Sequence, residues 1–131
     1  MIIIRGLNKA FGDKIIFSNF NLEIPDGSFV VISGDSGSGK STLLNMIGGI
    51  EKPDSGSIII EGLNITRLKN KNSFFADTVG FLFQNFALLE NKTVKENLSL
   101  IKKSSRTKVS LKEALNRVGL SKEVNKKVYQ L

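Results

Sequence analysis

Nine consecutive residues, Gly34-Asp35-Ser36-Gly37-Ser38-Gly39-Lys40-Ser41-Thr42, place one lysine and two hydroxyls directly behind a run of glycines. The spacing fits G-x-x-x-x-G-K-[S/T], with an additional glycine at Gly37. Glycines at 34, 37 and 39 open backbone angles closed to other residues, so that successive N–H groups can turn inward as an anion nest. Lys40 adds a full positive charge suited to β- and γ-phosphates, and the Ser41 hydroxyl is of the kind that ligates Mg²⁺. A ligand-free glycine-serine turn is the plainer alternative. A chance match to the fixed positions arises in roughly one chain of this length in several hundred, so the flanking elements decide.

Those elements have the required character. Behind a Pro25-Asp26-Gly27 turn, Ser28-Phe29-Val30-Val31-Ile32-Ser33 is apolar and β-branched, which predicts a buried strand. Thr42-Leu43-Leu44-Asn45-Met46-Ile47 predicts a helix that stops at Gly48-Gly49. A helix beginning near Lys40 would lend the loop its unpaired N–H groups and the positive end of its dipole. Strand, glycine loop and helix together predict a nucleotide site.

Upstream, Ile2-Ile3-Ile4 opens a strand, and residues 16–24 alternate through Phe20, Leu22 and Ile24, which predicts a half-buried antiparallel pair. Between them, residues 7–13 contain a Gly12-Asp13 turn, with Phe11 beside it, where an aromatic ring can stack on a base or simply join a core. Downstream, Glu51-Lys52-Pro53-Asp54-Ser55-Gly56 is a turn by composition. Ser57-Ile58-Ile59-Ile60-Glu61 is a strand closed by Gly62, and residues 63–76 are mixed, with one short helix. Thr78-Val79-Gly80-Phe81-Leu82-Phe83 predicts a second buried strand, followed by Gln84. A glutamine there can orient a metal-bound water or the γ-phosphate, although at a strand end it is more often polar punctuation.

The last third turns helical. Thr93-Val94-Lys95-Glu96 and Ser110-Leu111-Lys112-Glu113 both fit the capping box. The second predicts a helix with Leu111, Ala114, Leu115 and Val118 on one face, ending at Gly119.

Composition narrows the class. At 131 residues and 40% hydrophobic, the chain can bury one core and hardly two. The absence of cysteine excludes disulfides and thiolate metal sites, which suits a reducing compartment. No apolar run approaches the ~20 residues of a membrane span, and Met1-Ile2-Ile3-Ile4-Arg5 lacks the basic leader of a signal peptide. The +7 charge gathers at 69–71, 102–108 and 122–127. Without interleaved aromatic residues these clusters are better read as solvated helix faces than as a nucleic-acid surface.

In this order the motifs resemble the nucleotide-binding domain of ABC (ATP-binding cassette) transporters. Phe11 falls where that family places its adenine-stacking aromatic. Residues 34–42 match its Walker A motif, and Pro53-Asp54-Ser55-Gly56 with Gly62 matches its following turn and strand. Phe83-Gln84-Asn85-Phe86-Ala87-Leu88-Leu89 with Thr93-Val94-Lys95-Glu96-Asn97 resembles the Q-loop and the entry to the helical subdomain, most of all in exporters of the lipoprotein-releasing and macrolide- or bacteriocin-exporting type. The resemblance implies an α/β P-loop NTPase fold of ABC type, present in part. Residues 1–85 would form an antiparallel β subdomain with a partial RecA-like sheet, and residues 86–131 the start of a helical subdomain. It implies ATP and Mg²⁺ as cofactors, with phosphates on Gly34, Asp35, Ser36, Gly37, Ser38, Gly39, Lys40, Ser41 and Thr42, adenine on Phe11, and the metal on Ser41 and Gln84. It implies as partners a transmembrane permease subunit, received near Phe83, Phe86, Leu88 and Leu89, and a second nucleotide-binding domain. Localisation would be cytoplasmic, peripheral on the inner face of the cell membrane.

The family continues with a Leu-Ser-Gly-Gly-Gln signature, a Walker B strand bearing the metal-binding Asp and catalytic Glu, and a switch histidine. Tyr129-Gln130-Leu131 stands where that signature begins, and the sequence has no histidine. These residues are therefore expected to bind ATP without turning it over, Lys40 and Gln84 being contributory only. The missing Walker B strand should leave an apolar edge at Val30, Val31 and Ile32. Two other readings are a small phosphate-loop kinase, which usually carries its loop after the first strand, and a non-catalytic nucleotide- or partner-binding module.

Overall fold

The computed structural model describes residues 1–83, 87–100 and 109–131. These form two compact units, Met1–Asn72 and Ser73–Leu131.

The first unit is built on an antiparallel sheet. Strands β1 (Ile2–Phe11) and β2 (Lys14–Ile24) form a hairpin, β3 is Ser55–Ile60 and β4 is Leu63–Asn64, in the order β2-β1-β3-β4. The β1–β2 turn is Gly12-Asp13, with Gly12 at φ 55°. β1 runs further than the triple isoleucine alone indicates, so residues expected in a connecting loop belong to a strand that ends on Phe11. At β3–β4 the two turn residues Glu61 and Gly62 both have positive φ, 51° and 76°, which matches the twist of a two-residue hairpin. The ladder pairs Ile2, Ile3 and Ile4 of β1 with Ile60, Ile59 and Ile58 of β3. Ile4, Leu7, Ile58, Ile60 and Ile65 are buried, as are Leu43 and Met46 of helix α1 (Lys40–Ile47). That helix ends as its glycines require. Gly48 is the C-cap, Gly49 is left-handed at φ 76°, and the Ile50 N–H donates to the Asn45 carbonyl at 2.9 Å. The Lys71 ammonium donates to the Gly49 carbonyl at 2.6 Å; partial burial, and then the nearby Lys52 charge, lower its pKa.

Two expected strands are not formed. Residues 28–33 lie in no ladder, and Phe29 is 93% exposed with Val30 and Val31 also open. Residues 78–83 are likewise unpaired, with Leu82 88% exposed. An extended apolar run becomes a strand only when a neighbour accepts its N–H and C=O groups, and among the described residues neither run has one.

In the second unit, α2 (Asn72–Asp77) begins at the boundary and carries the buried Phe74. α3 (Val94–Ser99) starts on Thr93 with both arms of the capping box made. α4 (Leu111–Arg117) starts on Ser110, whose hydroxyl accepts from the Glu113 N–H. Of the face expected on α4, Leu115 is buried whereas Leu111, Ala114 and Val118 are exposed. Asn97 is also buried: it donates to the carbonyls of Leu89 and Thr93 at 3.0 Å each, and its Oδ1 accepts from the Leu89 N–H at 2.8 Å.

Candidate functional site: a glycine loop on a β hairpin

The loop ends on the first residue of α1. Gly39 is the N-cap, in the left-handed region at φ 95°, and its carbonyl accepts the first helical bond, from the Leu43 N–H at 2.8 Å. Gly34 and Gly37 also have positive φ, 145° and 76°, so all three glycines use angles that a side chain strongly disfavours. The loop closes on itself at Asp35, whose carbonyl accepts from the Ser38 N–H at 3.2 Å. Lys40 folds back over it, donating to the carbonyls of Gly34 at 2.8 Å and Asp35 at 2.7 Å. The ammonium thus sits against the loop backbone.

The hairpin supports the loop from outside. The ladder runs Ala10↔Ile15 and then Lys9↔Phe17, leaving Ile16 as an extra residue on β2. A bulge of this kind re-aims a side chain. Here a Cβ on Gly39 would overlap Ile16 Cγ2 and lie 3.1 Å from Phe17 Cζ, so only glycine fits against β2. Lys14, across the ladder from Phe11, donates to the Gly37 carbonyl at 3.3 Å. Phe11 is 51% exposed, with the Lys9 ammonium 4.8 Å from its ring centroid.

The sequence-predicted residues of the loop, 34–42, therefore stand together, and the hairpin end that carries Phe11 touches the loop through Lys14. Asp35, Ser36, Ser38 and Ser41 are exposed, and Thr42 is half-buried. Gln84 and Phe86 lie outside the described residues. Phe83, Leu88 and Leu89 are exposed and belong to the second unit. Sequence reasoning missed Lys14, flagged only by its place after Gly12-Asp13. It also missed Lys9, whose burial among Glu51, Lys52 and Asp54 no local pattern signals. The residues fit a polyphosphate with its metal: backbone at glycine-only angles, a helix start, a lysine and an open serine hydroxyl converge on one loop.

A glycine-rich loop leading into a helix that begins on its lysine is the phosphate-binding arrangement of a P-loop NTPase. A family profile described as ABC transporter matches residues 17–131, and the chain belongs to that family. It is 40% identical over 124 residues to the sulfate/thiosulfate import ATP-binding protein CysA of Synechocystis, covering 91% of this chain and 34% of that one. It is 36% identical to the macrolide export ATP-binding/permease protein MacB of Campylobacter jejuni, covering 100% of this chain and 22% of that one. Among solved structures, the dimeric bacterial ABC transporter cassette MJ0796 superposes with a TM-score of 0.81 at 34% identity, over 100% of this chain and 63% of that chain. The same cassette in a post-hydrolysis state bound to ADP and Pi gives 0.80 at 33% identity, with the same coverage. The chain thus spans about a third of the first of these relatives and 63% of the solved cassette. Membership of this family removes the small-kinase reading. The relatives include both an importer and an exporter, so the cassette itself is common to both directions of transport.

Proposed function

We propose that this chain is the nucleotide-holding part of a transporter ATPase, gripping Mg·ATP on residues 34–42 and the adenine on Phe11. The observation that carries the reading is the Lys40 ammonium held on the Gly34 and Asp35 carbonyls at the start of α1. A triphosphate would take that charge from the carbonyls, since an anion accepts a charge-assisted hydrogen bond more strongly than a neutral oxygen. Ser41 and Gln84 are the proposed metal-side residues. Bound Mg·ATP supplies the phosphoanhydride whose hydrolysis gives ADP and phosphate. The chain's own contribution is positioning and charge, which dominate phosphoryl transfer.

The 131 residues bind without turnover on this reading, which is supported by the lack of any histidine in them to act as the family's switch residue. The fine assignment is coupling of ATP hydrolysis to export through a transmembrane permease subunit, with a second cassette closing on ATP, at the inner face of the cell membrane. It is supported by the alignment to MacB over the whole chain and by the dimeric state of the similar cassette. Residues 1–85 serve as β subdomain and loop core and residues 86–131 as part of a helical subdomain, with Phe83, Phe86, Leu88 and Leu89 facing the permease. Limited proteolysis that cuts inside 1–85 before it cuts near residue 85 would count against this division.

Calorimetric titration with Mg·ATP tests the site. Weak binding is expected, and its loss in Lys40→Ala; equal binding by both proteins refutes the role of Lys40. Phosphate release is expected at background, and robust release from pure protein overturns that expectation. Reconstitution of the full transporter in vesicles, followed by the direction of ATP-dependent flux, tests export.

A further inference from the structure

Among the described residues Lys9 is the one charged side chain that is buried, at 8% exposure. It lies on β1 two residues before Phe11, and its ammonium is tightly engaged. It donates to Glu51 Oε1 at 2.6 Å and to the Lys52 carbonyl at 2.9 Å, with Asp54 Oδ1 at 3.6 Å. The backbone on either side is tied to the same turn: the Asp54 N–H donates to the Asn8 carbonyl at 2.9 Å, and the Ala10 N–H donates to Asp54 Oδ2 at 2.7 Å. Residues 51–54 lead directly out of α1, the helix that carries Lys40. The turn therefore links the phosphate end of the site to the strand that presents Phe11. Against that ring the same ammonium stands 4.8 Å from the centroid, while half of the Phe11 surface stays open.

We propose that Lys9 is a positioning residue for the base end of the nucleotide site, anchored on the turn after α1 and covering one face of the Phe11 ring so that the ring is fixed and polarised for stacking on a purine. This deepens the reading of Phe11 as the adenine platform and rests on it. A cation within about 6 Å of an aromatic face is attracted by the ring quadrupole, and a held ring loses less rotamer freedom when a base lands on it. The hydrogen bond that Lys9 donates to Glu51 raises the Lys9 pKa above its ordinary value, so the ammonium remains charged throughout the neutral range.

The test compares the affinities of the 131-residue chain for Mg·ATP and for inorganic tripolyphosphate, which lacks the base. Phe11→Ala should weaken ATP about tenfold and leave tripolyphosphate unchanged. Lys9→Met keeps the apolar stem and removes the charge; it should weaken ATP about fivefold with tripolyphosphate unchanged. Lys9→Arg should restore most of that loss, and Lys9→Met should add nothing in a Phe11→Ala background. If Phe11→Ala leaves the ratio of the two affinities untouched, the Phe11 reading fails and this inference falls with it. If Phe11→Ala shifts the ratio but Lys9→Met weakens both ligands equally, or neither, the Phe11 reading stands and the role of Lys9 is overturned. Should Lys9→Met fail to fold, Glu51→Gln decides. A loss confined to ATP supports the anchored ring, and an equal or absent loss overturns it.

Discussion

At the scale of single residues, two loop glycines that look alike in sequence do different physical work. Gly39 has both a left-handed φ of 95° and Ile16 in the space a Cβ would need, whereas Gly37, at φ 76°, has only the end of the flexible Lys14 side chain within reach, at 3.5 Å. Gly37→Ala is expected to cost about 1 kcal/mol, the backbone term alone. Gly39→Ala is expected to cost about 3 kcal/mol, because the overlap with β2 is added to the same term. Urea denaturation of the two variants checks this, and equal losses would mean that the Ile16 contact carries nothing. The glycine spacing was legible in the sequence. The difference between the two positions was not, because it depends on an unpaired residue of a strand some twenty positions earlier in the chain.

At the scale of elements, α3 has the best-defined start. Glu96 accepts from the Thr93 N–H at 2.8 Å and from the Thr93 hydroxyl at 3.0 Å, and Lys92 stands 3.2 Å away. The Thr93 backbone bond first, and then Lys92, favour the carboxylate and lower the Glu96 pKa from 4.5. A carboxylate depressed on folding adds stability above its unfolded value, lost as pH falls through the folded one. Amide protection in α3, taken relative to the intrinsic exchange rate at each pH, should therefore fall on acidification below the ordinary carboxylate value, whereas Glu96→Gln should show no such step. Thr93→Ala should lower stability by about 1 kcal/mol through the lost cap, measurable by thermal melting. Capping signals are local chemistry, and both were readable as sequence. The apolar face of α4 was not realised as expected: only Leu115 is buried, since periodicity states which residues share a face but not how much of that face is covered.

At the scale of the molecule, the described residues expose a continuous apolar stretch. Phe29, Val30 and Val31 follow one another without a ladder, between the hairpin and the glycine loop. Unpaired apolar backbone of this kind invites association with another chain. The 131-residue protein should therefore self-associate as its concentration rises, and Phe29→Lys with Val31→Lys should reduce this. Sedimentation velocity reads it, and a strictly monomeric wild type at high concentration would contradict it. Residues 28–33 and 78–83 were expected as strands, and among the described residues neither is paired; the apolar edge expected at Val30, Val31 and Ile32 is instead an unladdered run with Phe29, Val30 and Val31 open and Ile32 half-buried.

The sequence by itself determined the glycine loop, its lysine, the Gly12-Asp13 turn, the two helix starts and the family, because each is written in the identity and spacing of nearby residues. Only the tertiary structure decided that Ile16 braces Gly39, that Lys9 bridges Phe11 and the turn after α1, and that two apolar runs remain unpaired. Those outcomes depend on which distant segments meet, and a strand or a buried charge exists only when a partner elsewhere in the chain satisfies it.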